Sequence, residues 1–125
     1  MLHRSLLLSA ALLGPLSGIA LAQVPTSQQR AGNLARMEAE RLNGGLSVYS
    51  TANCMYKSGG GKCMVNDTAA GYRFKIPGGP PGWQAMGQEP TLETELLISP
   101  DGTQVSDVTY NGSIRSGIQK KIPAQ

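Results

Sequence analysis

Histidine occurs once in these 125 residues, at His3, inside a stretch that reads as a secretion signal. A chain that loses this segment has no imidazole left. That excludes His-based general acid–base catalysis, Ser-His-Asp and Cys-His nucleophiles, and His-ligated zinc or copper. Cysteine is nearly as scarce, with Cys54 and Cys63 alone, and two thiolates without histidine fall short of the four ligands zinc takes. Aromatic residues make up 5% of the chain, with one Phe and one Trp, so any aromatic anchor falls to very few positions. The charge balance, eleven Lys and Arg against eight Asp and Glu, lacks the clustered basic face that nucleic acid demands. Of these cations, Arg115, Lys120 and Lys121 fall in a C-terminal tail and read as solubilising. The apolar run Leu6 to Leu13 stops at Gly14-Pro15, short of the ~20 residues of a membrane span.

The first 22 residues, MLHRSLLLSAALLGPLSGIALA, combine a short charged region, an apolar region and a small-x-small ending at Ala20-Leu21-Ala22, the three parts of a signal peptide. Residues 1–22 are therefore expected to be removed, 23–111 to form a single α+β domain, and 112–125 to be a flexible tail. The destination would be periplasmic, thylakoid-lumenal or extracellular.

Thr26 with Gln29 fits a capping box, opening a helix from about Ser27 to Leu42. Ala31, Leu34, Ala35, Ala39 and Leu42 form its narrow apolar stripe, while Glu38 with Arg41 and Arg36 with Glu40 are spaced to pair. Asn43-Gly44-Gly45 ends it. The rest reads as strands: Leu46 to Tyr56, with Leu46, Val48, Ala52 and Cys54 inward; Lys62 to Val65; Tyr72 to Ile76; Thr91 to Ser99; and Gln104 to Tyr110, with a bulge because Val105 and Val108 fall on opposite faces. An antiparallel register with Phe74 opposite Thr94 would set Arg73 against Glu95 and Lys75 against Glu93. The fold expected is one N-terminal helix packed on an antiparallel meander of four or five strands, with one hairpin disulfide.

The decapeptide CMYKSGGGKC, residues 54–63, is neither a C-x-x-C redox pair nor a Walker loop, since Tyr56 stands where the first glycine belongs and Cys63 follows the lysine. In a hairpin with Tyr56 opposite Gly61, Cys54 faces Cys63, and an oxidising compartment would close the bond. No free thiol then remains.

The segment PGGPPGWQAMGQEP, from Pro77 to Pro90, is longer than a hairpin needs, and loops of this length are commonly functional. It carries Pro80, Pro81, Trp83 and Met86, the candidate partner-binding residues. Trp83 either faces a partner, as tryptophans at binding hot spots do, or folds back over the end of the sheet. Glu93 and Glu95 share a strand face, as a carboxylate hydrolase or a calcium site would require, with Glu89 nearby; Arg73 and Lys75 account for them as ion-pair partners. Asn66-Asp67-Thr68 and Asn111-Gly112-Ser113 match the N-glycosylation pattern.

Helix followed by meander resembles the cystatin-like arrangement of helix on sheet, which implies the fold. The inhibitors' Q-x-V-x-G hairpin is replaced here by KSGGGK, and GGPPGW is loosely like their proline-tryptophan loop. The combination CMY, GGGKC, GGPPGW and SPDG also resembles small exported proteins of marine cyanobacteria, which implies a periplasmic or lumenal home. The reading is a non-enzymatic exported binding module for a protein or envelope partner, using the Pro77 to Pro90 loop and the Lys57 to Lys62 tip, with no catalytic residues, cofactor or metal. The alternatives are a carrier holding an apolar ligand between helix and sheet, beside Ala31, Ala35 and Ala39; a protease inhibitor; and a carboxylate hydrolase.

Overall fold

The computed structural model describes residues 23–115, together with 11, 13 and 14. The expected cleavage site after Ala22 and the expected tail beyond Arg115 lie outside the described residues. Among the described residues no helix is long and apolar enough to cross a membrane.

Helix α1 spans Thr26–Leu42. It begins after Pro25, whose fixed φ of −55° precedes the first turn, and no side chain caps it. The expected Thr26 cap is therefore absent: Thr26 already lies in the helix, and Gln29 Nε2 instead donates to Val24 O at 2.9 Å. Ala31, Ala35 and Ala39 are fully buried, so the small-residue stripe serves close approach. At Gly32 a Cβ would come within 2.8 Å of Gly60 N. The Arg36–Glu40 and Glu38–Arg41 pairs both form. At the C-terminal end Gly45 N donates to Glu40 O at 2.8 Å.

Five strands make one antiparallel sheet: β1 Ser50–Thr51, β2 Met64–Thr68, β3 Gly71–Gly79, β4 Leu92–Ile98 and β5 Val105–Ser113. Their order is β1-β3-β4-β5, with β2 also on β3. β1 pairs with the end of β3 (Thr51 opposite Gly78) and β2 with its start (Met64 opposite Phe74). The two short strands therefore lie end to end along one edge of β3. Residues 52–63 leave that edge and return to it.

The expected long strand Leu46 to Tyr56 does not form. Residues 46–48 turn instead, with Val48 and Tyr49 both donating to Gly45 O, and only Ser50–Thr51 are extended. The inward set is reversed at its start: Leu46 and Val48 are exposed, whereas Tyr49 and Thr51 are buried. The cause is local. Gly78 has no side chain, and the Tyr49 ring fills the space a Cβ there would take.

Between β3 and β4 the alternation is as read, with Tyr72, Phe74, Ile76, Leu96 and Ile98 buried beneath α1. The register differs by two residues. Phe74 faces Leu96, Tyr72 faces Ile98 and Lys75 faces Glu95. A shift of two keeps every side chain on its own face. It arises because β3 runs on through Pro77, Gly78 and Gly79, which were expected in the loop, so the ladder extends to Gly78 opposite Leu92. Pro77 is tolerated because its carbonyl, and hence its missing N–H, points to the β1 edge, where it accepts from Ala52 N at 2.8 Å.

β5 carries the expected bulging. The register shifts twice, so Val108 faces Leu96 and Val105 faces Ile98, two residues of one face. β5 also passes the expected boundary at residue 111, and Arg115, read as tail, is held by Glu93 and Glu95. Asn111 belongs to the domain. Its Oδ1 accepts from Thr94 Oγ1 at 2.6 Å and from Asn43 Nδ2 at 3.1 Å, tying β5 to the end of α1. Asn66 is exposed on β2.

In the Pro100-Asp101-Gly102 turn, hydrogen bonds from the Ser99 and Thr103 hydroxyls and from Thr103 N hold Asp101 down to about 2. Tyr49 goes the other way, pushed up to about 12 chiefly by burial, its hydroxyl beside Thr94 and Asn43 without a bond of good geometry to either. The fold thus favours the neutral phenol. That contribution is complete below the free phenol's value near 10 and is lost as pH rises toward 12, on the order of 2 kcal/mol. In Tyr49→Phe, stability measured by urea unfolding between pH 9 and 12 should fall less steeply than in the parent. An identical slope in both would remove Tyr49 as the cause.

Candidate functional site

The loop between β3 and β4, residues 80–91, is ordered from within. Pro80 O, Gly82 O, Trp83 O and Gln84 O accept from the backbone amides of Trp83, Met86, Gln88 and Gly87 in turn. It is also pinned from outside, because Gln84 Oε1 accepts from Asn53 N at 2.8 Å.

Trp83 is the pin at its centre. The indole is 2% exposed, donates from Nε1 to Ser50 O at 3.0 Å, and lies on Gly79, where a Cβ would come within 3.1 Å of Trp83 Cγ. Of the two readings, the packed one holds: Trp83 folds back on the sheet and presents no ring to a partner. The other three candidates, Pro80, Pro81 and Met86, are exposed, Met86 by 62%. Met86 Cε lies 3.5 Å from the Cβ position at Gly82.

A residue the sequence reading passed over stands beside this loop. Tyr56 is 60% exposed and carries the Arg36 guanidinium 5.3 Å from its ring centre. It is held there by its neighbours. Asn53–Tyr56 is a short 3-10 turn with Cys54 and Met55 buried, and Ser58–Cys63 is a glycine turn in which Gly59, Gly60 and Gly61 take φ of 68°, 83° and 47°. A β-carbon at Gly60 would come within about 3 Å of the Phe74 ring, so glycine is needed there for space as well as angle.

The Cys54–Cys63 disulfide, with Cα atoms 5.8 Å apart, closes the neck of this excursion. The bond forms where the sequence places it, at a hairpin-like position, but the strands expected on either side of it do not pair with each other. Each pairs with β3 instead, because β3 offers a longer edge than the glycine turn could support.

Two open depressions flank Tyr56. One, of about 210 Å³, lies between α1 and the excursion and is bordered by Gln29, Asn33, Arg36, Lys57 and Ser58. The other, of about 130 Å³, lies between Tyr56 and the loop, bordered by Ser50, Asn53, Gly82, Trp83 and Gln84. Tyrosine, arginine and methionine are residue types that protein-binding surfaces are enriched in, and here an exposed Tyr56 and Met86 stand with a half-buried Arg36 around two open depressions. No sequence signal distinguished Tyr56 from a buried strand residue; alternation in fact assigned it to a strand.

Glu93 and Glu95 do share a face, on the side of the sheet away from α1. Glu93 is fully buried, with Lys75 Nζ at 3.4 Å and Arg115 Nε at 2.7 Å. Glu95 takes Arg115 Nη2 at 2.9 Å, and that hydrogen bond holds its carboxyl below the usual range. The expected pairing of Arg73 with Glu95 is replaced by this one, and Arg73 donates to Thr109 Oγ1 at 3.4 Å. A hydrolytic pair needs one carboxyl kept protonated near neutral pH, the reverse of what Arg115 does to Glu95. Glu89 is exposed in the loop. Among the described residues no three His, Cys, Asp or Glu side chains come together as a metal site.

No protein-family model matches the chain, and neither comparison with curated proteins nor comparison with solved structures gave a match.

Proposed function

We propose that the protein is an exported, non-enzymatic binding module that takes a protein partner on the surface formed by Tyr56, Arg36 and the 80–86 loop. The observation that carries the reading is Tyr56, an exposed aromatic ring held on a disulfide-closed turn between two hollows. Rigid presentation matters because an aromatic side chain that is already ordered loses little entropy on binding. Tyr and Arg lead the residue types found at binding hot spots, and Met86 adds an adaptable apolar contact. Lys57 and Lys62 on the excursion make no ion pair among the described residues, so the surface suits a partner with an acidic patch. The signal-like N-terminus and the disulfide support export.

The test is capture from the native exported fraction by oxidised residues 23–125, beside Tyr56→Ala and Met86→Ala forms of unchanged thermal midpoint. The parent should retain a specific protein, with each variant weakening it by tenfold or more, which is about 1.4 kcal/mol. Equal retention by all three would move the site elsewhere.

A further inference from the structure

The face of the sheet turned away from α1 holds a second constellation. Glu93 is fully buried there, an unfavourable place for a carboxylate unless it is paired and hydrogen-bonded. Its Oε2 and the Oε2 of Glu95 accept from Nε and Nη2 of one guanidinium, that of Arg115, at 2.7 and 2.9 Å. The ring of Tyr110 lies beneath the same group, 3.9 Å from Cζ. Tyr110 is itself fixed, donating from its hydroxyl to Ser113 O at 2.5 Å. Two carboxylates arranged for a planar fork above an aromatic face is a geometry that selects arginine over lysine.

Three further observations indicate that the occupant is exchangeable. The glutamates stand on β4 and Tyr110 on β5, whereas Arg115 lies beyond the last strand. Among the described residues no backbone hydrogen bond holds Ile114 or Arg115. Finally, Glu93 Oε1 is buried and accepts no hydrogen bond, its ion-pair partner Lys75 Nζ lying 3.4 Å away, so one acceptor of the site is left unused by Arg115.

We propose that Glu93, Glu95 and Tyr110 form a recognition site for an arginine side chain on a partner's peptide segment, and that Arg115 fills it intramolecularly until such a segment competes. The site shares no residue with the Tyr56 surface and does not depend on that reading.

The test uses Arg115→Ala and, as probe, N-acetyl-Gly-Arg-Gly amide against its Gly-Lys-Gly counterpart, read by thermal unfolding at constant ionic strength. The arginine peptide should raise the midpoint of Arg115→Ala saturably, by about 4 °C or more, with little response to the lysine peptide. In Glu93→Gln combined with Arg115→Ala the response should disappear. If Arg115→Ala alone is unfolded, recovery of its far-ultraviolet circular dichroism with the arginine peptide is the readout. No response, or an equal response to both peptides, overturns the proposal.

Discussion

Trp83→Ala should cost about 3 to 5 kcal/mol of folding free energy, the range for deleting a large buried aromatic. Three separate losses contribute. The indole is 2% exposed, so its area returns to water and a cavity is left; the Nε1 hydrogen bond to Ser50 O is lost; and its contact with Gly79 has no substitute, since glycine offers no side chain to close the gap. Denaturant unfolding of parent and variant is the measurement. A loss under about 1 kcal/mol would mean that the loop's own backbone bonds hold it in place without the indole. Trp83 is also the sole tryptophan, so its fluorescence reports this loop and nothing else. Because the ring borders the hollow beside Tyr56, the same signal should respond when that hollow is occupied.

Removing the disulfide, as Cys54→Ala with Cys63→Ala, should cost about 2.5 to 3 kcal/mol in the chain-entropy account of a loop this short. The effect should not be spread evenly over the molecule. β3, β4 and β5 form their ladder without residues 52–63, so their amide protons should stay protected from hydrogen exchange. Protection should fall at Lys57 and Gly60, whose amides bond to Cys54 O and Lys57 O inside the excursion. An unchanged denaturation midpoint would show that packing alone fixes the turn.

The parts of the fold legible in the sequence were those governed by periodicity and by local chemistry. The α1 stripe, the ion pairs along it, the alternating faces of β3 and β4, the bulged β5 and the Cys54–Cys63 bond all follow from residue spacing. What the sequence concealed was set by contacts distant in the chain. The two-residue difference in register depends on Pro77, Gly78 and Gly79 serving as strand, which they do because Tyr49 and Trp83 pack on opposite faces of the two glycines. Nothing near Gly78 announces Tyr49. Arg115 was hidden for a similar reason: an arginine just past Asn111-Gly112, followed by further cations and little that is apolar, has the composition of a tail, and only a buried Glu93 gives it a place. The candidate site was half legible. The loop and its tryptophan stood out, but the exposed ring belongs to Tyr56, whose setting depends on three positive-φ glycines that the sequence shows only as a turn.

One edge of the sheet is made from two strands too short to act alone, with a cross-linked bulge of chain between them. A continuous edge would expose a long row of unpaired amides and carbonyls, on which another extended chain could stack. Here β1 exposes the outer side of two residues before the backbone turns away, and β2 is bulged between Met64 and Asn66. The interruption that displays Tyr56 therefore also shortens this edge as a template for an added strand, and the Cys54–Cys63 bond closes the neck of that interruption.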